Sequence, residues 1–115
     1  MDLKPPFEFE NLIKDMFETL GFEIKSDNQT LGYEIDLIAI KDKLLYYVET
    51  KFYRSTFMGS AVEHAAASLY MRIKQQKNGL GLLVVNSVVL ESVKNSIRDR
   101  YNIEVWDRSV IATKL

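Results

Sequence analysis

The sequence predicts a single α/β domain in which helices cover both faces of a mixed β-sheet. A helical apolar stripe comes first, two strand-like segments joined by a short polar turn follow, and helices then alternate with apolar strands. The predicted order of elements is α-β-β-β-α-β-α-β. Because 115 residues suit one hydrophobic core, we expect one domain over residues 1–115, either complete or part of a longer protein.

The N-terminal part predicts a helix, a short strand and a loop. Residues 7–20 place apolar side chains at the spacing of an amphipathic helix: Phe9, Leu12, Ile13, Met16, Phe17 and Leu20. Gly21 is a plausible stop, since glycine readily adopts the left-handed conformation that ends many helices. Residues 22–25 then predict a strand, and residues 26–32 a polar loop.

A hairpin is predicted next. Residues 33–40 and 44–51 have strand character, and the polar residues 41–43 form a tight turn between them. Val48 and its apolar neighbours favour an interior position in the sheet, where an unpaired charge is costly.

The C-terminal half predicts helices alternating with strands. A long helix capped by Ser55 or Thr56 runs to about residue 77, and Gly79 ends it. The uninterrupted apolar segment 80–85 is typical of a strand buried on both faces. A helix over residues 90–101 and a strand over residues 103–106 complete the order.

Composition limits the chemistry. There is no cysteine and only one histidine, which excludes disulfides, thiolate zinc sites, iron–sulfur clusters and multi-histidine metal sites. Any metal site must therefore use carboxylates and carbonyls, the ligands that Mg²⁺ and Mn²⁺ prefer. No apolar run approaches the roughly 18–20 residues of a membrane span, and no secretion signal is recognisable, so we expect a cytoplasmic protein.

Charge is unevenly divided along the chain. Residues 1–50 carry 5 Lys/Arg and 11 Asp/Glu, a net −6, whereas residues 51–115 carry 10 and 5, a net +5. An acidic half can gather cations and a basic half can contact phosphates, although chance segregation of surface charge also explains the pattern. Six basic residues on the second and third helices are candidates for phosphate contacts, for helix C-terminal positions or for a solvated face: Arg72, Lys74, Lys77, Lys94, Arg98 and Arg100.

Acidic residues on the predicted hairpin suggest a metal site. Side chains alternate along a strand, so Glu49 and Lys51 share a face, and Asp36 lies on the neighbouring strand. Two carboxylates held close together repel unless a proton or a cation lies between them. The alternative is that Glu49 and Lys51 are partners on a solvated face and that Asp36 is a charge near a strand end. Glu10, beside the apolar stripe of the first helix, could reach the same pocket, with Glu8 as its competitor.

Four short motifs resemble the PD-(D/E)xK nuclease superfamily, in particular its Mrr-type restriction endonuclease-like branch. They are Phe9-Glu10-Asn11-Leu12-Ile13, Leu20-Gly21-Phe22-Glu23-Ile24, Glu34-Ile35-Asp36-Leu37-Ile38-Ala39 and Val48-Glu49-Thr50-Lys51. The likeness extends from Phe9 to about Trp106. Three positions depart from the pattern: Ile35 stands in place of Pro, Glu34 in place of Gly, and Glu49 in place of the branch's frequent Gln.

The resemblance implies a restriction endonuclease-like fold and Mg²⁺-dependent DNA cleavage, with Mn²⁺ able to substitute. It implies that Asp36, Glu49 and Glu10 bind the metal and that Lys51 is the catalytic lysine. DNA is then the partner, together with a second copy of the chain or an attached target-recognition or motor domain. Alternatives are a structure-specific nuclease similar to Holliday junction resolvases, or an inactive nucleic-acid-binding or oligomerisation module of the same fold.

Residues near the predicted lysine are further candidates for the site. Tyr53 and Arg54 come directly after it and are candidate DNA contacts. Ser60, His64 and Ser68 recur every four residues on the long helix, which permits a Ser–His pair. Because no orienting acid or oxyanion hole is recognisable, we expect His64 instead to be a half-buried helix residue near the nuclease site.

Overall fold

The computed structural model describes residues 5–25, 37–54, 59–74 and 79–115. Its elements are α1 (Pro5–Thr19), β1 (Glu23–Lys25), β2 (Leu37–Lys41), β3 (Leu44–Lys51), α2 (Gly59–Ile73), β4 (Leu80–Val85), α3 (Glu91–Tyr101), β5 (Ile103–Trp106) and α4 (Arg108–Lys114). No helix in these ranges is long and apolar enough to cross a membrane.

The strands form one five-stranded mixed sheet in the order β1-β2-β3-β4-β5. The first three strands pair antiparallel, and β3 to β5 pair parallel. The strand β3 is central and has a neighbour on each side. The described pair of β2 and β3 residues that lies nearest to Glu49 is Leu37 with Val48.

Two hydrophobic clusters, one on each face, hold the helices against the sheet. The first joins α1 and α4 to the sheet and is built around Ile13, Phe17, Leu37, Val48, Leu82, Val84 and Ile111. The second joins α2 and α3 to the other face and is built around Val62, Ala66, Leu69, Leu83, Val85, Ile97 and Ile103. Consecutive β4 residues alternate between the clusters, which confirms that this strand is buried on both faces.

Local geometry explains two of the predicted boundaries. Gly21 has φ +92° and its N–H donates to Glu18 O, while Phe22 N–H donates to Phe17 O, the hydrogen-bond pattern that ends a helix at a left-handed residue. Asp42 and Lys43 have φ values of 51° and 68°, which suit a two-residue hairpin turn whose twist matches the strands. Lys41, predicted as part of the turn, belongs to β2 instead.

The α/β fold with helices on both faces of a mixed sheet is confirmed, and one element was missed. The helix α4 follows β5 because Asp107 caps it by accepting a hydrogen bond from Val110 N–H. The first helix begins at Pro5, earlier than predicted, since proline suits the first helical turn. Residues 33–36 of the predicted strand and the predicted caps Ser55 and Thr56 lie outside the described residues.

Candidate active site

Glu49 and Lys51 lie near the C-terminal end of the central strand. Both side chains project toward α2, because alternate residues of β3, such as Val48, pack under α1 on the opposite face. Glu49 is only 4% exposed, an unusual position for a carboxylate. The predicted interior position of this strand is therefore confirmed, and a simple solvated Glu49–Lys51 face does not describe it.

Glu10 lies beside the same end of β3. A cleft of about 370 Å³ is lined by Pro6, Phe7 and Glu10 of α1 and by residues 49–52. Phe9 packs edge-to-face on Phe52, with ring centroids 6.0 Å apart, and this contact places the first turns of α1 against the segment that follows Lys51. Glu8 is exposed and is absent from the cleft lining, so the structure favours Glu10 over its competitor.

Arg72 forms an ion pair with Glu49, which the sequence did not predict. The pair is formed by Nη2 and Oε2, and the two side chains are 21% and 5% exposed. Arg72 Nε also donates to Ser68 O at 3.3 Å, which holds the guanidinium along α2. The basic residue expected to contact phosphate or solvent therefore sits against the buried carboxylate. The two residues are 23 positions apart, and no local sequence pattern indicates a contact over that distance.

Asn86 fixes the chain beyond Lys51, and sequence analysis did not single it out. Its side-chain amide accepts from Tyr53 N–H at 2.6 Å and donates to Tyr53 O at 2.8 Å. Its backbone N–H donates to Lys51 O at 3.3 Å. The paired bonds extend the β3–β4 ladder past its end and therefore restrain the backbone on the C-terminal side of Lys51.

A second, larger depression lies on the other side of Lys51. This groove, which we call the α2 groove, has a volume of about 570 Å³ and is lined by Lys51, Tyr53, Ser60, Ala61, His64, Ala65 and Ser68. The Tyr53 hydroxyl donates to Ala61 O at 3.2 Å and so ties the strand end to the first turn of α2. Burial raises the pKa of Tyr53 above its usual value, and the nearby Glu49 carboxylate raises it further.

His64 lies on the rim of this groove and is exposed, so the expectation of a half-buried histidine is wrong. The reason is the position of His64 around the axis of α2. Val62, Ala65, Ala66 and Leu69 form the buried stripe of α2. Residues Ser60, His64 and Ser68 follow a neighbouring stripe that faces solvent beside Lys51. His64 and Lys51 line the same groove.

Comparison with known proteins identifies the family. The family model Mrr_cat, described as "Restriction endonuclease", matches residues 2–115. The chain belongs to this restriction endonuclease family. The match covers nearly the whole chain and supports a restriction-type nuclease domain.

One solved structure is similar in fold. It is titled "Crystal Structure of Protein of Unknown Function AF1548", and the two proteins share 20% sequence identity with a TM-score of 0.71. The alignment covers 88% of this chain and 57% of that protein, so this chain spans little more than half of its length. The comparison with curated proteins found no match.

The remaining predicted member of the nuclease site, Asp36, lies outside the described residues. It directly precedes Leu37 in the chain, and Val48, the register partner of Leu37, directly precedes Glu49. Within the described ranges, no group of three or more His, Asp or Glu side chains could hold a metal ion. The residue types nonetheless suit a hard cation, because Glu10 and Glu49 are both among the residues that line the cleft and carboxylates are ligands that Mg²⁺ prefers.

Lys94, a second candidate phosphate contact, has a structural position instead. It is 8% exposed and lies 3.2 Å from Asp107 Oδ2. Asp107 also accepts from Val89 N–H at 2.9 Å and from the Ser109 hydroxyl at 2.8 Å. Burial alone would raise the pKa of Asp107, but the hydrogen bonds outweigh it and hold this pKa below its usual value.

Proposed function

We propose that this restriction endonuclease family member cleaves DNA in a divalent-metal-dependent reaction at the end of β3. Glu10, Asp36 and Glu49 hold Mg²⁺ or Mn²⁺, and Lys51 contacts the phosphate to be cleaved. The observation that carries the proposal is that Glu10 of α1 and Glu49 and Lys51 of β3 line one cleft at the end of the central strand. The family match supports nuclease chemistry at this place.

The local sequence supports a role for Asp36 in the same cleft. Asp36 directly precedes Leu37 in the sequence, and Leu37 pairs with Val48, the residue next to Glu49. A third carboxylate supplied from this neighbouring strand completes a ligand set of oxygen atoms, which Mg²⁺ prefers.

The cation, Lys51 and Asn86 have different tasks in this proposal. A divalent cation, when bound, would neutralise negative charge on the phosphoryl oxygens and lower the pKa of a water molecule bound to it. Lys51 places a compact positive charge at the mouth of the cleft, where it stabilises negative charge that develops on the phosphate. Asn86, through its bonds to Tyr53 and to Lys51 O, holds the backbone of the lysine in position.

The test is cleavage of supercoiled plasmid and of a panel of branched DNAs, each with Mg²⁺, Mn²⁺ or EDTA. We expect cutting that needs the metal and falls by at least about a hundredfold in Asp36→Ala and Lys51→Ala. Glu10→Ala should lose activity, whereas Glu8→Ala, two residues away on the exposed side of α1, should retain it. Equal cutting by Lys51→Ala and wild type would contradict the proposal.

The substrate panel also separates the related functions. Preference for linear duplex over junctions supports a restriction-type activity, and preference for junctions supports a structure-specific nuclease. One cleft cleaves one strand, so double-strand cleavage requires a second copy of the chain or an attached domain. Absence of any cutting, together with absence of calorimetric Mn²⁺ binding, would support an inactive DNA-binding module.

A further inference from the structure

The α2 groove begins where the carboxylate cleft ends. Lys51 lines both depressions, so they adjoin each other at this residue. The two sides differ in charge. Glu10 and Glu49 line the cleft. Among the described residues that line the groove, none is acidic. The cleft is therefore suited to a cation and the groove to an anion, and the two meet at the predicted catalytic lysine.

The groove presents hydrogen-bond donors in a regular row. Ser60, His64 and Ser68 are exposed and lie four residues apart on α2, so their side chains point in the same direction. Arg72 continues the row. Its Nη2 donates to Ser68 Oγ at 3.4 Å, which leaves the serine hydroxyl hydrogen available to a ligand. Ala61 and Ala65 beside them are small and allow close approach to the helix.

The length of this row matches several nucleotides. Eight residues of helix rise about 12 Å between Ser60 and Ser68. A DNA strand carries one phosphate per about 3.4 Å of duplex axis, so a row parallel to that axis spans about three to four phosphate steps. Hydroxyl, imidazole and ammonium groups are typical phosphate contacts in protein–DNA complexes.

We infer that the α2 groove binds the phosphodiester backbone of DNA next to the phosphate that lies at Lys51. This inference rests on the proposed nuclease function and extends it, because it assigns DNA positioning to Ser60, His64 and Ser68. The Tyr53 hydroxyl is engaged with Ala61 O, so Tyr53 builds the groove floor rather than donating that proton to DNA. These residues position the substrate and take no part in bond cleavage.

The test is binding of a fluorescently labelled 20-base-pair duplex, measured by anisotropy in EDTA so that no cutting occurs. Ser60→Glu places a carboxylate in the groove, and we expect it to raise the dissociation constant about tenfold by repulsion of the phosphates. His64→Ala removes one contact and should raise it about threefold. Ser92→Glu, the same exchange at an exposed position on α3, is the control and should match wild type.

The outcomes separate the groove from the nuclease proposal. Equal binding by Ser60→Glu and Ser92→Glu, or no binding by the wild-type chain, overturns the groove assignment even when plasmid is cleaved. Groove-dependent binding by a chain that neither cuts DNA nor binds Mn²⁺ overturns the nuclease proposal and retains the groove. Circular dichroism and calorimetric Mn²⁺ binding, both expected to be unchanged in Ser60→Glu, show that the fold and the cleft are intact.

Discussion

Two carboxylates of this protein are almost fully buried and paired with a cation, yet their surroundings differ. Asp107 is 1% exposed, and its partner Lys94 has a side chain that is only 9% exposed. Glu49 is similarly buried, but its partner Arg72 is 21% exposed, and Glu49 is one of the residues that line an open cleft. The first pair is enclosed by the fold, and the second lies at a surface where a substrate can arrive.

The partners of each carboxylate explain what it does. Asp107 receives N–H groups from Val89 and Val110, so it joins the segment after β4 to the first turn of α4. Both donors are backbone N–H groups, and the negative charge of Asp107 therefore stabilises the fold. Glu49 instead lines a cleft together with Glu10 and Lys51, so three charged residues lie around a cleft that stays open to solvent. Such an arrangement costs stability and is typical of active sites.

The largest expected effect is the loss of the enclosed pair. Asp107→Ala leaves the buried Lys94 ammonium with only the exposed Glu91 carboxylate, 3.5 Å away, and removes the cap of α4. We therefore expect the free energy of unfolding to fall by about 3–5 kcal/mol. Urea denaturation followed by circular dichroism measures this loss. Asp99→Ala, at an exposed position on α3, is the matched control and should change stability little. A loss below about 1 kcal/mol at Asp107 would contradict the structural role.

Acid should weaken the enclosed pair in a defined pH range. Because the pKa of Asp107 lies below its usual 3.8 in the folded chain, its stabilising contribution is complete above that value and is lost as the pH falls through the lower, folded pKa. Between about pH 5 and about pH 2.5, the free energy of unfolding should therefore fall more steeply for wild type than for Asp107→Asn. Parallel pH profiles of the free energy of unfolding for the two proteins would argue against a lowered pKa of Asp107 in the folded chain.

The smallest effect is expected at the open pair, and it concerns metal binding. If Glu49 holds a divalent cation as proposed, the Arg72 guanidinium competes with that cation for the same carboxylate. Arg72→Ala should then raise the Mn²⁺ affinity about tenfold, as measured by calorimetry. Arg98→Ala, at an exposed position on α3, should leave the affinity unchanged. A weaker Mn²⁺ affinity in Arg72→Ala would mean that Arg72 orients Glu49 for the metal.

Local patterns predicted much of the fold. The bounds of β3, β4 and β5 agree with the predicted segments, since apolar alternation and continuous apolar runs report burial directly. The stop at Gly21 was also predictable, because its conformation depends on the residue itself. The helix α4 was missed although Asp107 is a preferred capping residue, because seven residues carry too little periodicity.

The amino-acid sequence by itself determined most of the helices and strands, the absence of thiolate ligands and the spacing of Glu49 and Lys51 on one strand face. These follow from properties of single residues and their near neighbours. Tertiary structure alone decided that Arg72 meets Glu49, that Asn86 restrains the chain after Lys51, and that Lys94 is enclosed with Asp107. Those contacts join residues 13 to 35 positions apart, and only the packing of helices on the sheet brings them together.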